Sequence, residues 1–442
     1  MPIQRFLDLI PSDLPLSRKE SAGDFTRDHK LTLPKLITFI LSITASGKNR
    51  GVDGKSGEFF KNARRSGLWP DSKAIHRSAL TKARKKVKWE AFEDIFHQAT
   101  SLAHDLWPED PQYLWHGMSV FAIDGSKHTL PATDELREKF DPQSGLENNG
   151  KGHYPQCLVS TCYDAFRRIP IARTVQPVAS SEREEVKKLL PYIPSKSILL
   201  FDRGYPSYEL IQYLDKEYSG HYLFRCPSTG TFPAVESFVK NKKKEDVIWL
   251  DPSNNFLHKI NKKDRDKFEP VRFRIVRLVS PDGTVSVLLT SLLDKKEFPF
   301  NEIIALYFKR WEVESFYRDE KTFLEIEKFH SKKENGILQE LYAVMIMSVI
   351  SRTLMAMGSQ SFFSGKKELQ FKNAILTLAS DAAFLVADDP QKATVIFKEI
   401  LAAISRVKYY RPKHQRACQP RVNKQPVNKW NQSKIKKSTA CA

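Results

Sequence analysis

The stretch Tyr307–Lys321, YFKRWEVESFYRDEK, combines a helical pattern with an unusual stripe of polar side chains. On a helix that turns about 100° per residue, an arc of roughly 60° contains Tyr307, Arg310, Glu314 and Lys321. Apolar residues fill much of the remaining surface, and a helix that is apolar on several sides is usually buried. Burying a polar stripe costs free energy unless something polar lies against it. The stretch therefore predicts a metal or phosphate site, and the alternative is a surface helix with salt bridges.

Two further stretches supply carboxylates in matching contexts. The apolar run SVFAI leads into Asp124, and the apolar run SILLF leads into Asp202. Such runs are typical of strands buried on both faces, and an Asp at the strand end lies at the sheet edge where open α/β sheets build their sites. Either Asp alone could simply cap a turn or a helix. Two of them, together with Glu314, predict a catalytic centre.

The order of these three carboxylates resembles the DDE triad of bacterial insertion-sequence transposases. The helix spacing is similar to the signature of the IS-four group: Tyr307, two residues, Arg310, three residues, Glu314, six residues, Lys321. The AIDGS and FDRGY contexts resemble that group's motifs around its two aspartates. The resemblance covers roughly residues 30 to 430, and none of the three carboxylate positions departs from the pattern.

Composition and charge fit a protein that acts on a polyanion. The 442 residues carry a net charge of +19, and from Arg406 onward there are eleven Lys and Arg and no Asp or Glu. Charge of this sign favours nucleic acid as a partner, although a basic tail can be merely solubilising.

The five cysteines are scattered without a CxxC pair, which argues against structural zinc and a disulfide framework and fits a reducing cytoplasm. No apolar run approaches a membrane span, and the first residues make a poor signal peptide.

The predicted fold class is α/β, with three domains. Residues 1–110 would form a helical DNA-binding domain, and residues 111–335 a ribonuclease-H-like catalytic core with a mixed five-stranded sheet. The 112 positions between Asp202 and Glu314 are too many for a direct connection, and a β-rich insertion at 226–294 fills them. Residues 336–442 would form a helical region for dimerisation or DNA contact, with a basic tail.

Within these domains the pattern predicts individual elements. Residues 1–30 are predicted to be an irregular arm, and 31–44 a helix. Residues 71–89 would form a basic helix that contacts DNA, or an ordinary amphipathic helix with a solvated basic face. The sequence Ser181–Glu184 predicts a capping box at a helix start. The long apolar helix 339–358 would be core or a dimer interface.

The resemblance also implies roles for the polar residues. Two Mg²⁺ ions, for which Mn²⁺ would substitute, would be held with Asp124 bridging both, Asp202 on one and Glu314 on the other. Tyr307, Arg310 and Lys321 would contact the DNA backbone. His128 is expected to be structural or to contact DNA rather than to catalyse. Trp249 and Trp311 could stack on a base, although core packing is the expectation for each.

The function that the resemblance implies is cut-and-paste DNA transposition at terminal inverted repeats. The partners would be the element's double-stranded ends, target DNA, and a second copy of the chain in the synaptic complex. The alternatives are a nuclease of the same fold without strand transfer, and a DNA-binding regulator descended from a transposase. A lost carboxylate would favour the regulator, and none is lost here.

Overall fold

The computed structural model describes residues 2–26, 31–47, 51–107, 110–144, 153–252, 254–280, 283–362 and 367–410. Its strands are β1 (Ser119–Thr129), β2 (Gln156–Asp164), β3 (Ile169–Pro177), β4 (Ser197–Phe201), β5 (His221–Pro227), β6 (Glu245–Leu250), β7 (Val271–Val279), β8 (Val285–Thr290), β9 (Lys367–Leu369) and β10 (Lys408–Tyr410). Its α-helices are α1 (Pro2–Leu7), α2 (Leu33–Ala45), α3 (Val52–Arg65), α4 (Arg77–Arg84), α5 (Glu90–Leu106), α6 (Asp134–Phe140), α7 (Glu182–Leu189), α8 (Tyr208–Glu217), α9 (Pro233–Lys240), α10 (Asn254–Lys259), α11 (Phe300–Phe308), α12 (Trp311–Thr322), α13 (Glu334–Phe362), α14 (Phe371–Asp381) and α15 (Pro390–Arg406).

A mixed sheet of eight strands, in the order β3-β2-β1-β4-β5-β8-β7-β6, forms the centre of the described molecule. The β1–β4 and β4–β5 pairs are parallel, and the remaining pairs are antiparallel. The strands β4 and β1 are wholly or largely buried, as their apolar sequences predict. The mixed α/β class is therefore confirmed.

The insertion differs from the prediction in its relation to this sheet. Strands β6, β7 and β8 do not form a separate body, because β8 pairs with β5 and extends the five-stranded sheet to eight strands. The free edge of β5 would otherwise expose unpaired N–H and C=O groups, and β8 satisfies them. The insertion therefore buries the edge beside the strands that carry the aspartates.

The predicted end of the first strand was wrong. Strand β1 continues past Asp124 to Thr129, because β2 pairs with it along that whole length. The parallel pairing with β4 nevertheless ends at Ala122–Leu200, two residues before Asp124. Asp124 thus lies at the carboxyl end of the β1–β4 pair although it is inside a longer strand.

The helical stretch that carries the polar stripe is also divided. Instead of one helix through Tyr307–Lys321, α11 ends at Phe308 and α12 begins at Trp311. Between them the backbone N–H of Arg310 bonds to the carbonyl of Tyr307 at 3.0 Å, and that of Glu312 to Lys309 at 3.1 Å. These i→i−3 bonds are the tighter turn of a 3₁₀ helix, so the α-helical hydrogen-bond pattern is interrupted around Arg310.

The N-terminal segment is more ordered than predicted. Residues 2–26 include α1, and several of their apolar side chains are buried, so the expectation of an irregular arm was wrong. The predicted helix 31–44 matches α2, whereas the predicted basic helix 71–89 is shorter and spans Arg77–Arg84 as α4. The cap of α7 also differs, since Ser181 makes no side-chain capping bond.

The helix α13 is the core of the helical part. It is long and apolar enough to cross a membrane by length and composition, but 89% of that segment is buried inside the protein, as in a core helix. It packs against α2 and α5 from the N-terminal region and against α14 and α15 after it. The alternative of α13 as a dimer interface is therefore wrong, because the chain itself covers its apolar surface.

Some predictions fall outside the described residues. The basic tail after Tyr410, including Trp430, Cys418 and Cys441, is not among them. The described cysteines, Cys157, Cys162 and Cys226, are free and buried. The division into domains 1–110, 111–335 and 336–442 stays a prediction.

Candidate active site

Backbone geometry places the two aspartates at one edge of the sheet. The register of the parallel pair puts Asp124 and Asp202 each two residues beyond the Ala122–Leu200 pair, so both follow the same edge. Asp124 Oδ1 accepts the N–H of Gly125 at 3.0 Å, and Asp202 Oδ1 accepts the N–H of Gly204 at 2.7 Å. These local bonds orient each carboxylate within its turn.

The helix α12 is fixed to this edge by two buried contacts. The hydroxyl of Tyr317 lies 2.8 Å from the carbonyl oxygen of Asp124 and 3.1 Å from that of Val159, so it joins the helix to both β1 and β2. Arg173 of β3 donates to Glu320 at 2.9 Å, and both side chains are fully buried. Together they hold α12 with Glu314 facing Asp124.

Arg310 lies between two of the predicted catalytic carboxylates. Its Nη2 donates to Glu314 Oε1 at 2.6 Å, and its Nη1 lies 3.8 Å from Asp124 Oδ2. The side chain is 4% exposed, and its Nε and Nη1 atoms have no hydrogen-bond partner among the described residues. Arg310 directly precedes α12, and its guanidinium supplies positive charge between Asp124 and Glu314.

The pKa of Asp124 reflects its burial and its charged neighbours. Burial raises the pKa of Asp124 from 3.8 to about 7; Arg310 opposes this rise, and Asp202, Glu314 and Glu182 add to it. Burial is the largest cause of this rise, and the neighbouring carboxylates act in the same direction.

The three residues predicted to contact DNA are placed differently from one another. Tyr307 is 1% exposed, and Arg310 is buried at the carboxylates. Lys321 is partly exposed; its Nζ donates to Ser126 Oγ at 2.8 Å and to the carbonyl of Lys127 at 2.5 Å. Burial lowers the pKa of Lys321. DNA contact by the three stays a prediction, and Lys321 is the one whose side chain already reaches the surface.

The donor set suits a hard divalent cation, because the converging groups are carboxylate oxygens. Among the described residues, however, no three His, Cys, Asp or Glu side chains are close enough to hold one metal ion together. In this structure the carboxylate of Glu314 instead accepts a hydrogen bond from Arg310. Metal ligation by Glu314 would therefore require this ion pair to separate.

Sequence reasoning missed Glu182 at this site. It begins α7, and its carboxylate carbon would lie 2.5 Å from a Cβ on Gly125, so it occupies the space that this glycine leaves open. Burial raises the pKa of Glu182; Tyr205 lowers it, and Asp202 raises it further. No spacing in the sequence links position 182 to the strand that carries Asp124, so the fold alone reveals the proximity.

Two other predictions are settled by burial. His128 is fully buried, which fits the structural alternative and not a DNA contact. Trp249 on the edge strand β6 is 57% exposed, so the expectation of core packing was wrong for it. Trp311 is partly buried and lies under the guanidinium of Arg310 at 5.1 Å.

Comparisons with known proteins show which family and which proteins this chain resembles. A family model described as the transposase DDE domain matches residues 115–350, more than half of the chain. The chain is 27% identical over 273 residues to the transposase InsG for insertion sequence element IS4 of Escherichia coli (strain K12). It is also 31% identical over 161 residues to the putative transposase InsZ of the same organism. A solved structure of the piggyBac transposase synaptic complex with hairpin DNA aligns over 97% of this chain and 86% of that chain, with a TM-score of 0.44 and 14% identity.

The chain therefore belongs to the transposase DDE domain family, and the predicted resemblance is confirmed. The matched regions cover 61% of this chain and 59% of the IS4 protein, and 35% of this chain and 52% of InsZ. The chain thus matches between half and three fifths of the length of these curated relatives.

Proposed function

We propose that this protein is a DNA transposase that excises an insertion sequence by cut-and-paste transposition. The observations that carry the proposal are that Asp124 and Asp202 follow the same edge of the sheet and that Arg310 contacts both Asp124 and Glu314, within the region that matches the DDE family. The ribonuclease-H-like description of the core is part of the same proposal. Strands β1 to β5, with the order 3-2-1-4-5 and a hairpin before the parallel pair, support it.

In the proposed reaction, water attacks the phosphorus at the element's end and the bond to the 3′ oxygen breaks. The products are a 5′ phosphate and, once the leaving oxygen has taken a proton, a 3′ hydroxyl. This hydroxyl then attacks a phosphodiester of target DNA, forms the new P–O bond and displaces the target's 3′ oxygen. Strands β1 and β4 carry Asp124 and Asp202, and α12 carries Glu314, which supports an attack confined to one edge of the sheet.

Two divalent cations, Mg²⁺ or in its place Mn²⁺, would activate the attacking oxygen and stabilise the leaving one when bound. Asp124 would bridge both ions, Asp202 would hold one and Glu314 the other. The guanidinium of Arg310 would release the carboxylate of Glu314 and bind a phosphate instead, because a guanidinium pairs with a carboxylate or a phosphate. Lys321 would contact the neighbouring backbone phosphate.

The DNA would run across a basic surface beside α12. A cavity of about 520 Å³ opens between α12, α13 and the start of α14, and its cationic lining residues are Arg168, Arg318, Arg352 and Lys372. Glu312 and Asp319 also line it, so cations exceed acids by two. The net charge of +19 supports the same assignment of a polyanionic partner.

We also propose a homodimer in the DNA complex and a bacterial cytoplasmic location, where the substrate DNA is.

The test is cleavage and joining of a labelled element-end duplex with Mg²⁺ and a target plasmid. The wild type is expected to cut the end and yield joined product, and Glu314→Ala to lose both by at least a thousandfold while still binding the duplex. Glu184→Gln, on the surface of α7, is the matched acidic control and should retain activity.

The outcomes separate the candidate functions. Cleavage without joined product would identify a nuclease of this fold. Tight binding with no cleavage by either protein would favour a DNA-binding regulator. Equal cleavage by wild type and Glu314→Ala would contradict the assignment of the triad.

A further inference from the structure

A second cavity, of about 570 Å³, opens between the N-terminal helices and the segment that joins α12 to α13. Its described lining residues include five lysines and arginines and one carboxylate: Arg77, Arg84, Lys85, Lys332, Lys333 and Asp53. All of these cations except Arg84 are exposed. A cleft lined by charge of one sign concentrates ions of the opposite sign, so this cavity favours an anion.

Three of these cations have no acid to balance them within the described part of the chain. The side chains of Arg77, Lys85 and Lys332 make no hydrogen bond or ion pair with a described residue. The other two cations of the lining do have acidic partners. Asp53 accepts the backbone N–H of Arg77 at 2.7 Å, so this bond leaves the guanidinium free to bind a ligand. The unbalanced charge is therefore available to a polyanion.

Hydrogen bonds fix the two sides of this cavity to each other. Asn335 Nδ2 donates to the carbonyl of Val87 at 2.9 Å, and Asn335 Oδ1 accepts the N–H of Trp89 at 2.7 Å. Gln339 Nε2 donates to the carbonyls of Arg84 and Val87 at 3.0 and 2.6 Å. The backbone segments that carry the cations are thus held together before a ligand binds, which reduces the entropy lost on binding.

The cavity is close to the sheet edge that carries Asp124. Strand β1 runs past Asp124, and near its end the carbonyl of Lys127 accepts a hydrogen bond from Lys321 Nζ. Six residues later Thr133 Oγ1 donates to the carbonyl of Lys332 at 3.4 Å. Six residues span at most about 22 Å, whereas one turn of duplex DNA is about 34 Å long. One turn is therefore long enough to contact both Lys321 and the cavity.

We propose that this cavity binds the phosphodiester backbone of the DNA that is cut, through the side chains of Arg77, Lys85 and Lys332. The inference rests on the proposed function only for the presence of duplex DNA. The guanidinium can bind a phosphate with two hydrogen bonds, and the two ammonium groups act as point charges. Phosphate contacts carry no base sequence, so the cavity sets the position of the duplex relative to the catalytic edge.

The first test measures binding of the full-length protein to the element-end duplex by fluorescence anisotropy, with a chelator present and over a series of salt concentrations. Arg77→Ala, Lys85→Ala and Lys332→Ala are each expected to reduce the slope of log K against log salt by about 0.9, the amount per phosphate contact. Lys332→Arg keeps the charge and should keep the wild-type slope. Lys398→Ala is the matched control, because Lys398 is exposed on α15 and does not line the cavity.

The second measurement locates the contact on the DNA. Neutral methylphosphonate linkages replace the phosphates of the duplex one at a time. The wild type is expected to lose affinity at phosphates within about one turn of the cut. A triple variant with alanine at the three cationic positions should lose no affinity at those phosphates, because the contact is already absent.

The outcomes are distinct from those of the strand-transfer assay. Wild-type salt slopes in all three alanine variants would overturn the inference, as would identical methylphosphonate profiles for the wild type and the triple variant. Thermal unfolding identifies any variant that misfolds, and Lys332→Arg then separates loss of charge from loss of structure. A protein that makes these contacts yet neither cuts nor joins DNA would contradict the proposed function and leave this inference standing.

Discussion

At the scale of single residues, the charge state of Asp124 is the most consequential feature of the site. Its pKa is raised from 3.8 to about 7, so the folded protein binds a proton there across a pH range in which the unfolded chain has released it. A raised carboxyl pKa means that stability falls as pH rises between these two values. Ionisation of Asp124 near neutral pH therefore lowers the free energy of unfolding, and bound cations would offset this loss.

This leads to a prediction for Asp124→Asn in the presence of a chelator. The asparagine does not titrate, so the variant should gain stability over wild type by up to about 1.4 kcal/mol per pH unit between pH 5 and 7. Above pH 7 the gain should level off. Urea unfolding at pH 5, 6, 7 and 8 measures the difference, with Glu184→Gln as the control; a difference that stays constant with pH would contradict the raised pKa.

At the scale of elements, the position of α12 depends on the buried pair Arg173–Glu320. Arg173 also donates to Thr161 Oγ1 at 3.1 Å and lies over the ring of Phe316 at 5.7 Å. Such a pair stabilises little compared with an apolar replacement, but breaking it leaves a buried charge without its partner. The pair therefore fixes the position of α12, and with it Glu314.

We expect Glu320→Ala to lower the free energy of unfolding by about 3–5 kcal/mol, because Arg173 stays buried and unpaired. Glu184→Ala, which breaks an exposed pair with Lys187, should change it by less than about 1 kcal/mol. Chemical denaturation of both variants makes the comparison. Equal small effects would mean that α12 is held by other contacts, chiefly Tyr317.

At the scale of the whole molecule, the N-terminal helices are joined to the C-terminal ones through buried polar contacts. Arg84 of α4 donates to Gln339 at 3.0 Å, to Glu340 at 2.9 Å and to the carbonyl of Gly336 at 2.8 Å. Arg84 is 5% exposed, so the prediction that the cations of this basic stretch contact DNA was wrong for this one. Lys82 on the same helix is exposed and stays available to DNA.

Substitution of Arg84 should therefore change stability, whereas substitution of Lys82 should change DNA binding. Arg84→Ala is expected to lower stability by about 3–5 kcal/mol, because Glu340 is left buried beside an empty site. Lys82→Ala should leave stability unchanged and reduce the salt dependence of DNA binding by about one counterion. Denaturation measures the change in stability, and salt titrations of duplex binding measure the change in salt dependence. A wild-type salt slope in Lys82→Ala would contradict a contact between Lys82 and DNA.

The amino-acid sequence by itself determined the chemistry of this protein. The apolar runs before Asp124 and Asp202 and the fixed spacing around Glu314 were enough to predict the α/β class, the family and the carboxylates, because buried strands and helical stripes leave local patterns. Local patterns do not record which segments meet in space. Only the tertiary structure decided that β8 extends the core sheet and that α13 is enclosed by helices from both ends of the chain. It likewise placed Arg310 between two carboxylates and Glu182 over Gly125, since each contact joins residues whose proximity depends on packing of the whole fold.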